Sequence, residues 1–372
     1  MLLECASPAF DVRRLAELSR SVDWSRLLTL AEEHGVLGHL TVRLGALEKD
    51  LVPAEVRAAL VEHHRAQVFS TLRLTAELFR VLELFAAKGI AALVVKGPVL
   101  AIHAYGDPTM RSYGDLDLLV RQRDIHLATE CLQSADFAPT VSVTAIDAGK
   151  IPGQYLFSKP NANVLFELHN DFTLRYFPRP LPLEALFARS TLAPVDSRGV
   201  PALTVEDELV YICVHGATHF WDRLGWIADV AALITRQAGI DWESVGAISK
   251  EVEAERMLHT GLLLAADLLY THLPEKVIKA VRVDTGAAKL ARLVRSWMMA
   301  ADKRSPTLFE RAAFRLLMRG SGFSALSYLL RLSLSPTEED WKQEDLGNQR
   351  SILAAMRRPF RLMRKYGPGG KF

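Results

Sequence analysis

The sequence predicts an α+β fold: a small β-sheet core flanked by N-terminal helices and by a C-terminal helical region. Three observations predict it. Apolar residues recur at three- and four-residue spacing up to about residue 88, the pattern changes to short β-branched runs between 90 and 169, and helical spacing returns from Thr204 onward. The corresponding segments are 1–75, 76–200 and 201–372.

In the first segment, VDWSRLLTLAEEHGVLGHLTVRL and the stretch through TLRLTAELFRVLELFAAKG carry helical periodicity, and Gly89 is a suitable stop. IAALVV at 90–95 then reads as a buried strand. It runs into Lys96-Gly97-Pro98 and the helix-like VLAIHAY, where Pro98 suits a first helical position. A loop with Asp107-Pro108, a strand DLDLLV, a helix from about Asp124 to Ser134 and β-like pieces near 137–144, 153–158 and 163–169 complete the core. Thr204 with Asp207 resembles a capping box opening EDELVYICVHGATHFWDRLGWIADVAALI, read as one helix, and Ser335-Pro336-Thr337-Glu338 marks a later helix start. VDWSRLLTLAEE and IDWESVGAISKE share an apolar-Asp-Trp opening, which fits a duplication, a reused helix-start device or chance.

With 372 residues and 49% hydrophobic content the chain can bury a real core, and disorder is not expected. Forty-five basic against 43 acidic side chains leave a net charge of +2, so any polyanion binding must be local. Cys5, Cys131 and Cys213 are odd in number, widely spaced and without a CxxC pair, which argues against a disulfide framework or a cysteine-rich metal site and fits a reducing cytoplasm. The start lacks a basic leader, and no uncharged apolar run reaches about 18 residues, so a soluble, cytoplasmic protein without a transmembrane segment is expected.

The chemistry centres on RSYGDLDLLV, residues 111–120. In a strand, Asp115 and Asp117 point to one face about 7 Å apart while Leu116 and Leu118 point to the other. Two such carboxylates can share a divalent cation or bracket two of them, and Glu167 in VLFELH is the best third acid, with His169 on its face. Upstream, a strand running into Lys96-Gly97 and a helix N-terminus builds an anion pocket, to which Lys96 and Arg111 add charge. A phosphate cradle beside a carboxylate metal site is what phosphoryl or nucleotidyl transfer needs. The same acids also suit a surface edge or ion pairs with Arg111 and Lys96.

Further along, His215, His219, Asp222, Trp226 and Asp229 fall at helical steps of four, three, four and three. The stripe suits a face turned toward the carboxylates and the substrate, a buried network of mutually satisfied groups, or zinc, although HGATH lacks the glutamate of HExxH. Arg223 lies beside the stripe and reads as a phosphate contact or a snorkelling side chain. His103, on the helix after Gly97, reads as a helix-face residue rather than a catalytic base, and Lys150, Lys159 and Arg175 read as solvated. The tail MRRPFRLMRKYGPGGKF interleaves arginines with apolar residues. It suits nucleic acid or an anionic surface, or simply a solvated end.

KGPVLAIHAYGDPTMRSYGDLDLLV, then FELH, then HGATHFWDRLGWIADVAAL resembles the uncharacterised nucleotidyltransferase family of the DNA polymerase beta-like superfamily, over roughly residues 75–235. The resemblance implies a mixed sheet, a nucleoside triphosphate such as ATP as donor, and Mg²⁺, or Mn²⁺ in its place. It also implies that Gly97 approaches the phosphates, Asp115 and Asp117 hold metal, and Glu167 ligates or acts as base. The wider superfamily has Gly-Ser after the first strand, where this chain has Lys96-Gly97-Pro98. Lysine takes over the phosphate contact, or the site binds something other than a triphosphate. The expected reaction moves a nucleoside monophosphate onto a hydroxyl of an unidentified small molecule, RNA or protein; a non-catalytic nucleotide or metabolite sensor is the alternative.

Overall fold

The computed structural model describes residues 1–143, 146, 153–159, 164–170, 182–300, 306–320 and 325. The basic tail, the start at Ser335-Pro336, Lys150 and Arg175 lie outside them.

The fold is α+β, as expected. Helices α1 (Leu2–Ala6), α2 (Val12–Ser19), α3 (Trp24–Glu33) and α4 (Leu37–Gly45) precede a long α5 (Ala54–Ala87). Strand β1 (Ala92–Val94) leads into α6 (Gly97–Tyr105), then β2 (Asp115–Val120), α7 (Ile125–Ser134), β3 (Ala138–Pro139), β4 (Gln154–Lys159) and β5 (Val164–His169). Helix α8 (Leu183–Arg189) and the hairpin of β6 (Thr191–Val195) and β7 (Arg198–Ala202) follow. Helices α9 (Val205–Thr218), α10 (Leu224–Arg236), α11 (Trp242–Glu251), α12 (Glu255–Leu269), α13 (Glu275–Val283), α14 (Thr285–Met298) and α15 (Leu308–Met318) come last.

The seven strands form one mixed sheet in the order β3-β4-β5-β2-β1-β7-β6. β2 runs antiparallel to β1 and parallel to β5, and its register places Asp117 directly beside Glu167. Side-chain alternation divides the core along these strands. Val94, Leu116, Leu118, Val120, Phe166 and Leu168 face the buried cluster under α5 and α7, whereas Leu93, Val95 and Leu119 face the larger cluster shared with α6 and the later helices. The carboxylates lie on this second face.

The β6–β7 hairpin is absent from the sequence expectation. Pro194 and Pro201 lie inside its strands, and proline weakens a strand signal because it donates nothing to the ladder. The hairpin occupies the edge of the sheet, where that loss is tolerated. Asp196, at φ 54°, makes the turn and was the available clue.

The two Asp-Trp openings are the same capping device. Asp23 accepts the Arg26 N–H at the start of α3, and Asp241 accepts those of Glu243 and Ser244 at the start of α11. The N-terminal helices share their core with the C-terminal ones: Ser7 Oγ donates to Leu269 O at 2.8 Å, and Gly225 N donates to His34 O at 2.9 Å. All three cysteines are free and buried. Among the described residues, no helix is long and apolar enough to cross a membrane.

His39 lies between these layers, edge-on to Tyr105 at 5.1 Å, with no partner on either ring nitrogen. Burial lowers its pKa from 6.5 to about 4. Above the unfolded value the ring is neutral in both states and costs nothing. Below it the unfolded chain gains the proton first, so stability falls as pH drops toward the folded value, by about 3 kcal/mol in all. His103 and His169, whose pKa values are raised, act in the opposite sense. The measurement is therefore the difference between wild type and His39→Phe in urea unfolding. The variant is expected to lose less stability between about pH 7.5 and about pH 4.5, and equal losses would refute the assignment.

Candidate active site

β1 ends at Val94, and Lys96 is the N-cap of α6. Gly97 turns the chain at φ 57°, a left-handed conformation that strains any residue with a Cβ. Pro98 follows in the first turn of the helix, as expected. The turn is held against the next strand by Val95 N, which donates to Asp117 O at 3.1 Å. Lys96 is thereby placed over β2, with its ammonium 3.0 Å from Asp117 Oδ1.

Asp117 is 1% exposed and forms the centre of the site. His169 Nε2 lies 3.1 Å from the same Oδ1 and 3.5 Å from Glu167 Oε2, and Gln154 Nε2 donates to that Glu167 oxygen at 2.6 Å. Burial alone would raise the Asp117 carboxyl. Lys96 and His169 outweigh burial and hold it well below the usual carboxylate range. His169 is raised for the matching reason: burial disfavours its charge, but hydrogen bonding to Asp117 and Glu167 wins.

Asp117, Glu167 and His169 each offer a ligand atom, all within 4.8 Å of one another. The other carboxylate oxygen of Asp117, Oδ2, is buried and has no protein partner. An orphaned buried carboxylate oxygen is costly unless a cation or donor reaches it, so these residues fit a metal ion. Asp115, half-buried on the same strand face, lies outside this group of three. Its carboxyl is raised, first by burial and then by the neighbouring Asp117 charge.

The remaining expected residues fall into two sets. Arg111 donates from Nε to Asp229 Oδ2 at 2.9 Å, and Tyr105 OH donates to Asp229 Oδ1 at 2.9 Å. This trio, centred on the buried Asp229, ties the loop before β2 to α10. His103 pairs with the buried Glu208 at 2.7 Å, a partner the sequence did not suggest. Lys159 lies 3.3 Å from Glu77 and is not freely solvated.

The single-helix stripe from His215 to Asp229 is corrected by the structure. α9 ends at Thr218, and Phe220 and Trp221 adopt left-handed φ values of 59° and 53° before α10 begins at Leu224. His215 belongs to α9, Trp226 and Asp229 to α10, and His219 and Asp222 to the turn between them. Trp221 is fully buried and forces the break, because its ring fills the space beside Gly216 and Gly261. A Cβ on Gly216 would meet that ring at 2.4 Å. The turn folds His215, His219 and Trp226 into one aromatic cluster with centroids 4.7–5.3 Å apart, and Arg223 lies 5.8 Å over Trp226. Both histidines are held down, first by burial and then by the Lys96 charge, and Trp226 packs against the core cluster that contains Leu93 and Leu119.

The family model described as an uncharacterised nucleotidyltransferase matches residues 20–270, which include the glycine turn, both aspartates, FELH and the α9–α10 turn. The chain belongs to this family. A search of curated proteins finds no match. The family match makes the chain a transferase that carries out nucleotidyl transfer, and the match begins well before the sheet, so α3, α4 and α5 fall inside the matched unit as well. In this nucleotidyltransferase the group able to hold a metal ion, among the described residues, is Asp117, Glu167 and His169.

Proposed function

We propose that the protein transfers a nucleoside monophosphate from a nucleoside triphosphate, such as ATP, to a hydroxyl acceptor. The observation that carries this reading is the parallel pairing of β2 with β5, which sets Asp117 beside Glu167 with one Asp117 oxygen unpartnered, next to the Gly97 turn. Asp117 and Glu167, with His169, would hold Mg²⁺, or Mn²⁺ in its place, with the Asp115 charge beside them on the same strand face, and the ion would neutralise charge on the transferring phosphate.

The chain's own residues supply the rest. The free N–H groups at the start of α6 and its positive end receive the phosphates, with Gly97 allowing close approach. Lys96 holds Asp117 ionised and adds positive charge below the phosphates. Arg111, anchored by Asp229, keeps the loop before β2 in place. Glu167 accepts the proton of the acceptor hydroxyl, and attack on the α-phosphorus expels pyrophosphate. His215, His219 and Asp222 line the acceptor side, with Asp229 behind them. Residues 201–372 select the acceptor, and the basic tail helps orient a polyanionic one.

The test offers triphosphates labelled at the α-phosphate, with Mg²⁺, to extracted RNA, protein and metabolite pools. Label transfer with pyrophosphate release is expected, and it should vanish in Asp115→Ala/Asp117→Ala. Nucleotide-dependent thermal stabilisation without pyrophosphate release from any pool would favour the sensor instead. No nucleotide-dependent shift and no transfer would overturn both.

A further inference from the structure

The carboxylate site contains a cation of its own. The Lys96 ammonium is 3.0 Å from Asp117 Oδ1, with its side chain 9% exposed, and its backbone is fixed as the N-cap of α6. His169 engages the same oxygen, so Oδ2 is the Asp117 atom left without a protein partner. Asp115, Asp117 and Glu167 bring three negative charges when ionised, His169 is neutral whenever it ligates a metal ion, and Lys96 offsets one of the three. Two remain, the amount that one divalent ion neutralises. The ligand geometry agrees with this count, because the group that converges among the described residues is the single set Asp117, Glu167 and His169. Arg111 cannot be the compensating charge, since Asp229 holds it.

Resting on the metal-dependent reading above, we propose that Lys96 is a resident counter-cation standing in for one metal ion, so that the site takes one divalent cation on Asp117, Glu167 and His169 rather than two. The substitution of Lys-Gly-Pro for a small-residue turn then has a chemical meaning. A lysine at the end of β1 reaches Asp117 across the β1–β2 pair and occupies the space where a second ion would be bracketed. A buried ammonium with a fixed partner leaves less readily than a hydrated ion, so the site keeps part of its charge compensation whether or not metal is present.

The test is titration of the full chain with Mn²⁺ alone, reading free Mn²⁺ by electron paramagnetic resonance. Wild type is expected to bind one equivalent. Lys96→Met removes the internal charge and should bind Mn²⁺ at least about tenfold more tightly. Its melting temperature should also rise more with Mn²⁺ than that of wild type. Lys96→Arg keeps the charge and should retain one equivalent. Two tight equivalents in wild type would overturn the proposal whether or not Lys96→Met folds, as would unchanged or weaker affinity in a folded Lys96→Met. No Mn²⁺ binding to either protein would overturn the metal-dependent reading itself, and this proposal with it.

Discussion

Asp115→Asn is expected to reduce nucleotidyl transfer on the order of 10³-fold while leaving the melting temperature unchanged or higher. Its carboxyl sits in partly buried surroundings beside the ionised Asp117, and both facts push its pKa up. A carboxyl whose folded pKa is raised stabilises the protein at low pH, and that contribution is lost as pH rises above the unfolded value. At neutral pH the charge is therefore a cost to the fold, retained at a site that needs negative charge. Asparagine removes the cost and the function together. Asp117→Asn should behave differently, because Lys96 and His169 are built around that charge. It should abolish transfer and also lower stability by about 3–5 kcal/mol, the usual result of leaving one member of a buried ion pair alone. Thermal melts beside label transfer separate the two variants. A melting temperature for Asp115→Asn more than about 2 °C below wild type, or retained activity, would contradict this account.

Trp221→Ala should destabilise the chain by about 3–5 kcal/mol, the range for removing a large aromatic from a core that cannot collapse around the gap. The gap cannot close easily here, since Gly216 and Gly261 are the walls and carry no side chain to fill it. The backbone adds to the loss. Phe220 and Trp221 both hold left-handed conformations that non-glycine residues adopt only when packing imposes them. Once the indole is gone, the packing that seats the turn is lost, and the cluster of His215, His219 and Trp226 loosens. Trp221→Phe should cost less, because it keeps much of the ring and removes an indole N–H that is buried without a partner. Urea unfolding with near-ultraviolet circular dichroism measures both effects, and a loss below about 1 kcal/mol in Trp221→Ala would show that the turn is held by other contacts.

Much of the site was legible because it is written locally. Strand alternation placed Asp115 and Asp117 on one face, and the structure gives that strand the expected limits, Asp115–Val120. Lysine-glycine-proline after an apolar run marked a helix start, and Gly97 does open α6 at a positive φ. The Asp-Trp caps and the Thr204 cap were visible for the same reason: a side chain that satisfies a backbone N–H two or three residues away leaves its mark within one turn of sequence.

Where the reading failed, the deciding partner was distant or the local signal was unusual. The α9–α10 turn contains no glycine or proline, so periodicity ran straight through it; distant partners bend the chain there, with Trp221 seated against two glycines, one of them 40 positions later, and Leu224 and Gly225 held by His34. The β6–β7 hairpin carries prolines that a central strand would reject but a sheet edge tolerates.

The sequence by itself determined the α+β class, the strand bearing the two aspartates, the glycine turn before it, and a second strand with Glu167 and His169 on one face. Those are properties of period, residue volume and backbone freedom, which act over a few neighbours. The tertiary structure alone decided that β2 and β5 lie side by side in a register that joins Asp117 to Glu167. It also decided that Lys96 spends its charge on Asp117 and that Arg111 spends its own on Asp229. Which charges meet across 20 or more residues depends on how whole faces pack, and burial then makes each meeting obligatory, because an ion taken from water must find its partner inside the protein.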